Sequence, residues 1–91
     1  MLCSVNSNCL RKLNAQLLLV SGSLDLLHEH MERVVKETGE TWKDRKFEMF
    51  LEEVEPCQQQ LINLSLKYKE LSSQIQPLVE LIEEMERKTI A

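Results

Sequence analysis

The fold of this 91-residue chain is decided at residues 37–42, Glu37-Thr38-Gly39-Glu40-Thr41-Trp42, where a helical pattern stops and restarts. On either side of this stretch, apolar residues recur at alternating steps of three and four, the spacing that keeps one face of a helix apolar. The first copy of the pattern spans residues 10–34, and the second spans residues 47–85. We therefore predict an all-α fold of two long antiparallel helices that form a helical hairpin.

The two apolar patterns define the faces that we expect to pack together. On the first helix the pattern consists of Leu10, Leu13, Leu17, Val20, Leu24, Leu27, Met31 and Val34. On the second helix it consists of Phe47, Phe50, Val54, Cys57, Leu61, Leu64, Tyr68, Leu71, Ile75, Leu78, Ile82 and Met85. Folding the chain at Gly39 places Leu24 opposite Val54.

The chain is predicted to form a single helical-hairpin domain over residues 1–91. The predicted elements are helix 1 at about residues 7–37, a turn at residues 38–41 and helix 2 at about residues 42–88. A connection this short forces the two helices to lie antiparallel as neighbours.

The predicted helix ends depend on capping residues. Gly39 is available for a left-handed turn after helix 1. Thr41, followed three positions later by Asp44, resembles a capping box and places the start of helix 2 at Trp42. Three side chains suit the N-cap of helix 1: Ser4, Ser7 and Asn8.

Two prolines fall inside helix 2, where each removes a backbone hydrogen bond. The apolar pattern keeps its phase across both Pro56 and Pro77. We therefore expect helix 2 to be bent near each proline, and a break at residues 72–77 is the alternative.

Composition narrows the class of protein. The net charge is −4 and aromatic residues make up 4% of the chain, so we expect no nucleic-acid partner. We also expect no signal peptide and no membrane insertion, because the longest apolar run covers only residues 17–20. The three cysteines, Cys3, Cys9 and Cys57, form no CxxC pair, which favours folding in a reducing, cytoplasmic environment.

No pattern of catalytic residues is present, so we predict a protein that is not an enzyme and needs no cofactor. His28 and His30 are two residues apart and point in different directions on a helix. His28 and Glu32 have the i,i+4 spacing, but two ligands alone make a weak metal site. We therefore assign no catalytic, cofactor-binding or metal-binding residue.

Two surfaces are predicted to remain apolar after the hairpin has formed. Helix 2 is longer than helix 1, so residues 76–88 should extend beyond it. Helix 1 also carries a second apolar stripe on the side away from the hairpin, around Gly22, where a small residue allows close approach. The predicted dimer interface combines both surfaces: Ala15, Leu18, Leu19, Gly22, Leu26, Leu78, Leu81, Ile82 and Met85. Two hairpins would then form a four-helix bundle.

The turn carries a motif that resembles the WXG100 (ESAT-6-like) superfamily. The motif consists of Trp42-Lys43-Asp44, followed by an aromatic residue at Phe47 or Phe50, with Asp44 at the position of the family's glycine. The resemblance implies a helical-hairpin dimer that acts by binding, as a secretion-associated factor or a chaperone. It also implies that Trp42 is the turn anchor and that export follows a route independent of a signal peptide.

The sequence leaves the partner open. The leading interpretation is a homodimer, or a dimer with a paralogous hairpin. The alternative is a coiled-coil adaptor subunit in which residues 76–88 insert into another protein of a larger complex.

Overall fold

The computed structural model describes residues 6–90, with side chains up to Thr89. It contains two helices, α1 (Ser7–Thr41) and α2 (Arg45–Ile90), joined by residues 42–44. The described residues include no strand, and the two helices pack against each other along their length, which confirms the predicted hairpin. Two residues discussed above, Cys3 and Ser4, lie outside the described range.

The helix ends use capping residues that differ from those predicted. Asn6 is the N-cap of α1, and its side chain accepts a hydrogen bond from the Cys9 backbone N–H at 2.9 Å. Asp44 immediately precedes α2, and its Oδ1 accepts a hydrogen bond from the Phe47 backbone N–H at 3.1 Å. Asp44 therefore has the N-cap role that we had given to Thr41.

Gly39 lies inside α1, which continues to Thr41 instead of ending near residue 37. No glycine among the described residues has a positive φ, so the predicted left-handed turn at Gly39 is wrong. A Cβ at this position would lie 3.0 Å from two ring carbons of Phe47. The glycine thus allows the close approach of Phe47, one of the two buried apolar residues of the described chain.

The helix α2 is continuous through both prolines. Pro56 and Pro77 are exposed and lie on the side of α2 that faces away from α1. Their rings therefore point to solvent, and the alternative of a break at residues 72–77 does not occur.

The register of the hairpin follows from contacts between residues whose numbers add to 86. Ser21 contacts Ser65, and His28 contacts Gln58. The predicted register, with Leu24 opposite Val54, is shifted by about one heptad because the turn lies at residues 42–44. As a result α1 reaches further along α2, and Val79, at 4% exposure, is buried within the same molecule. The expectation that residues 76–88 lack an intrachain partner is therefore wrong at Val79.

The hairpin is an elongated rod of 70 × 22 × 19 Å with a radius of gyration of 20.5 Å. A compact domain of this length would have a radius of gyration of about 12 Å. Two helices that contact each other along one line can bury only one stripe each. The packing therefore leaves most apolar side chains partly or fully open to solvent.

Candidate functional site

One side of the seam between α1 and α2 is built from polar side chains, which we call the polar ladder. The Ser7 backbone N–H donates to Glu86 Oε1 at 3.3 Å, and Ser72 Oγ donates to Asn14 Oδ1. Residues seven apart on a helix lie on one stripe, so these contacts recur along the hairpin. The ladder consists of Ser7, Asn14, Ser21 and His28 on α1 and of Gln58, Ser65, Ser72 and Glu86 on α2.

Ser21 and Ser65 form the most buried part of the polar ladder, each with 1% exposure. Their hydroxyl oxygens lie 3.0 Å apart, and each hydroxyl is also within hydrogen-bond distance of the other residue's carbonyl oxygen, at 3.2–3.3 Å. Every buried side-chain polar atom of the described residues has a partner. The small serine side chains thus let the helices approach without an unsatisfied polar group.

Asp25 lies beside this serine pair, between the buried Ser65 hydroxyl and the solvent-exposed Lys69. Its carboxylate accepts hydrogen bonds from Ser65 Oγ and from Lys69 Nζ, the latter at 3.0 Å. The Ser65 hydroxyl, followed by the Lys69 ammonium, lowers the pKa of Asp25 below its ordinary value of 3.8. The folded hairpin therefore favours the charged form of the Asp25 carboxylate.

His28 and Gln58 extend the polar ladder toward the turn. Gln58 Nε2 lies 3.0 Å from His28 Nδ1 and donates to the His28 carbonyl at 3.1 Å, while His28 Nε2 lies 3.2 Å from Glu32 Oε1. An open groove of about 900 Å³ runs past these residues on the polar side of the hairpin. Within residues 6–90, no group of three or more potential metal ligands converges.

The polar ladder replaces half of the apolar seam that the sequence predicted. Leu10, Leu17 and Leu24 line the seam and are half-buried. Leu13 and Leu27 belong to the same predicted pattern but are 47% and 53% exposed. On each helix, one column of the predicted apolar pattern therefore lies in the seam, and the other column lies outside it.

The outside columns of both helices lie on the same side of the hairpin. Moving three residues along either helix leads from the polar ladder to the apolar column in the seam, and three more lead to the column outside it. On α1 these positions are Ser21, Leu24 and Leu27. On α2 they are Ser65, Tyr68 and Leu71. The ladder residues of α1 contact the ladder residues of α2. The outside columns of the two helices therefore lie next to each other, on the side of the hairpin opposite the polar ladder. We call this surface the apolar face; it consists of Leu13, Val20, Leu27 and Val34 of α1 and of Phe50, Cys57, Leu64, Leu71, Leu78 and Met85 of α2.

The turn residues close one end of the apolar face. The Trp42 ring centroid lies 5.1 Å from that of Phe47 and 6.0 Å from that of Phe50. The Trp42 backbone N–H donates to the Thr38 carbonyl at 2.9 Å, which ends α1. The three predicted turn residues, Trp42, Asp44 and Phe47, are thus brought together.

The predicted dimer-interface residues fall on several surfaces. The stripe on α1, which we call the outer stripe, is exposed, and a Cβ on Gly22 would meet nothing within 4 Å. Leu78 and Met85 belong to the apolar face, Leu81 points outward at 53% exposure, and Ile82 is half-buried in the seam. The outer stripe consists of Ala15, Leu18, Leu19, Gly22 and Leu26. In the structure, the outer stripe of α1 and the predicted interface residues of α2 therefore do not form one continuous surface.

Comparison with known proteins gives no relative: no protein-family model, curated protein or solved structure matches this chain. Neither helix of the described region is long and apolar enough to cross a membrane.

The sequence contains a signal for the polar ladder that the apolar pattern alone does not reveal. Ser7, Asn14, Ser21 and His28 recur every seven residues, as do Gln58, Ser65 and Ser72. Small and polar residues in such columns allow helices to pack closely, and this displaces the apolar columns from the seam.

Proposed function

We propose that the chain is a non-enzymatic protein-interaction module, a helical hairpin that dimerises into a four-helix bundle. Its partner is a second copy or a paralogous hairpin. The observation that carries this proposal is the small amount of apolar surface that the hairpin buries. Among the apolar side chains described, only Phe47 and Val79 are buried.

The accessible surface supports the need for a partner. The chain exposes 7398 Å², whereas a compact monomer of 10.6 kDa exposes about 5,500 Å². The excess of roughly 1,900 Å² exceeds the ~800 Å² that each partner buries in a standard interface. Large apolar side chains supply part of this excess surface. Burying one of them fully in an interface contributes about 1.5–3 kcal/mol of favourable free energy.

The resemblance to the WXG100 superfamily suggests a more specific role, as a secretion-associated factor or chaperone. In this proposal the protein is cytoplasmic when folded and is exported by a route independent of a signal peptide. The cluster of Trp42, Phe47 and Phe50 supports the role of Trp42 as a turn anchor.

The alternative function is that of a coiled-coil adaptor in a larger hetero-oligomeric complex. The end of α2 favours it, because α2 is eleven residues longer than α1 and passes the start of α1. Leu81 and Met85, which precede Glu86 and lie beside the first turns of α1, are 53% and 54% exposed. A partner that covers only this end would leave most of the apolar face free.

Light scattering on the purified full chain tests the proposal. We expect twice the 10.6 kDa mass of one chain over a range of concentrations. A well-folded monomer at high concentration would contradict dimerisation with itself, and a molten or aggregating chain would indicate a missing heteropartner. Mixing with a candidate paralogue then distinguishes the two kinds of dimer.

A further inference from the structure

We infer that the apolar face is covered by the same face of a second copy, in a two-fold dimer whose two turns lie at the same end. This inference rests on the proposed function and adds the surface and the orientation. The two-fold axis runs along the rod between the two hairpins. It places α1 of each copy over α2 of the other.

The size of the apolar face suits such a dimer. One broad side of the rod measures 70 × 22 Å, or about 1,500 Å² in projection, and a standard interface takes ~800 Å² from each partner. The excess surface of the chain, roughly 1,900 Å² over a compact monomer, is of the same order. The face is thus large enough for a second hairpin.

The heptad phase of the two helices matches in this orientation. A two-fold axis along the rod keeps each residue at its own level, so α1 residues face the α2 residues at the same level of the second copy. The paired residue numbers add to 84, against 86 for the ladder pairs Asn14–Ser72, Ser21–Ser65 and His28–Gln58, a difference of about 3 Å along the axis. Four apolar pairs result between the copies: Leu13 with Leu71, Val20 with Leu64, Leu27 with Cys57, and Val34 with Phe50.

The charges at the rim of the apolar face are complementary in the same orientation. Among the exposed residues that border the face, Glu37 pairs with the oppositely charged Lys46 of the second copy, and His30, whose ring N–H can donate a hydrogen bond, pairs with Glu53. The remaining rim pairs, Ser23 with Gln60, Gln16 with Lys67 and Cys9 with Gln74, contain no like charges. Rim charges add little affinity but select the orientation.

The opposite orientation, with the turns at opposite ends, fits less well. It places α1 over α1 and α2 over α2, and because α1 is eleven residues shorter, Val34 has no α1 residue opposite it. With the rods aligned end to end, Lys67 faces Lys67 of the second copy. Like charges in direct opposition disfavour this arrangement.

Disulfide cross-linking between differently labelled full chains tests the orientation. In a background with Cys3→Ser, Cys9→Ser and Cys57→Ala, one chain carries Ser23→Cys and the other carries Gln60→Cys. Both positions are exposed, and helicity by circular dichroism confirms that the variants fold. We expect the mixture, after oxidation, to shift from one chain mass to twice that mass on a non-reducing gel, whereas each chain alone stays at one chain mass.

A second mixture, Gln60→Cys with Gln74→Cys, reports on the opposite orientation and should not cross-link. Cross-linking of this mixture alone would overturn the orientation but leave dimerisation in place. A double mass by light scattering with neither mixture cross-linked would overturn the use of the apolar face. A folded monomer would overturn both the inference and the proposed homodimer.

Discussion

Ser21 and Ser65 face each other across the middle of the hairpin, with their hydroxyl oxygens 3.0 Å apart and each side chain 1% exposed. A two-helix hairpin normally buries its largest apolar residues at such a point. Here two small polar residues occupy it, and one column of leucines on α1, which includes Leu13 and Leu27, faces outward. This relationship explains why one broad side of the molecule remains apolar after the chain has folded.

Replacing Ser65 with leucine should disrupt the seam. The larger side chain has no space beside Ser21, and the hydroxyl that hydrogen-bonds with Ser21 and Asp25 is lost, so we expect a loss of about 1–3 kcal/mol in the free energy of unfolding. Ser73→Leu, at an exposed position of α2, is the matched control and should change stability by less than about 0.5 kcal/mol. Urea denaturation measures both, and equal stabilities would refute the role of the serine pair.

Acid should remove the contribution of Asp25. The Ser65 hydroxyl and then Lys69 lower the pKa of Asp25 in the folded state, so its contribution is present above the ordinary pKa and is lost as the pH falls through the folded value. The stability advantage of the native chain over Asp25→Asn should be constant near neutral pH and should shrink below pH 3.8.

NMR titration of the Asp25 carboxyl checks the cause of this shift. Ser65→Ala removes the hydroxyl donor and should raise the pKa of Asp25 toward its ordinary value. A titration that is unchanged in Ser65→Ala would contradict the assignment of the hydroxyl as the main cause.

The two glycines should respond differently to alanine. Gly22 lies in a helix interior with open space around its Cα, so Gly22→Ala should stabilise the hairpin by about 0.5–1 kcal/mol through helix propensity. At Gly39 the added methyl group would lie 3.0 Å from the Phe47 ring. Gly39→Ala should lose that gain because the ring must move. Thermal unfolding of both variants decides this, and equal gains would show that Phe47 moves at no cost.

Charge on the apolar face should weaken the dimer more than charge on the outer stripe. Leu64→Glu buries two unpaired carboxylates per dimer, and we expect a rise of about 100-fold or more in the dissociation constant. Leu19→Glu is the control, because Leu19 is 62% exposed on the outer stripe. Sedimentation measures both constants. A larger effect of Leu19→Glu would support the outer stripe as the interface.

The sequence predicts the helices well but the faces only in part. The alternation of apolar residues defines two helices, and the Trp42 region marks the turn correctly to within a few residues. The choice between Leu24 and Leu27 as the seam residue is not encoded in hydrophobicity, since both are leucine. It follows from Ser21 and Ser65, whose small size lets the helices pack on the polar side.

The register was also beyond the reach of pattern analysis. A glycine after a long helix commonly ends it, and the sequence therefore predicts a turn at Gly39. Its real role, to accommodate the Phe47 ring, depends on a contact between the two helices. The consequent shift of one heptad buries Val79 and shortens the unpaired end of α2.

The rate of alkylation of Cys57 tests most directly whether the apolar face is covered in solution. Cys57 is exposed in the single hairpin, and a chain with Cys3→Ser and Cys9→Ser retains it as the only thiol. We predict that its rate falls at least tenfold as the protein concentration rises through the dimer dissociation constant, while a reporter at the outward-facing position, Asn63→Cys in the cysteine-free background, keeps a constant rate. If Cys57 reacts as fast as the reporter at every concentration, the apolar face stays open to solvent and the account is wrong.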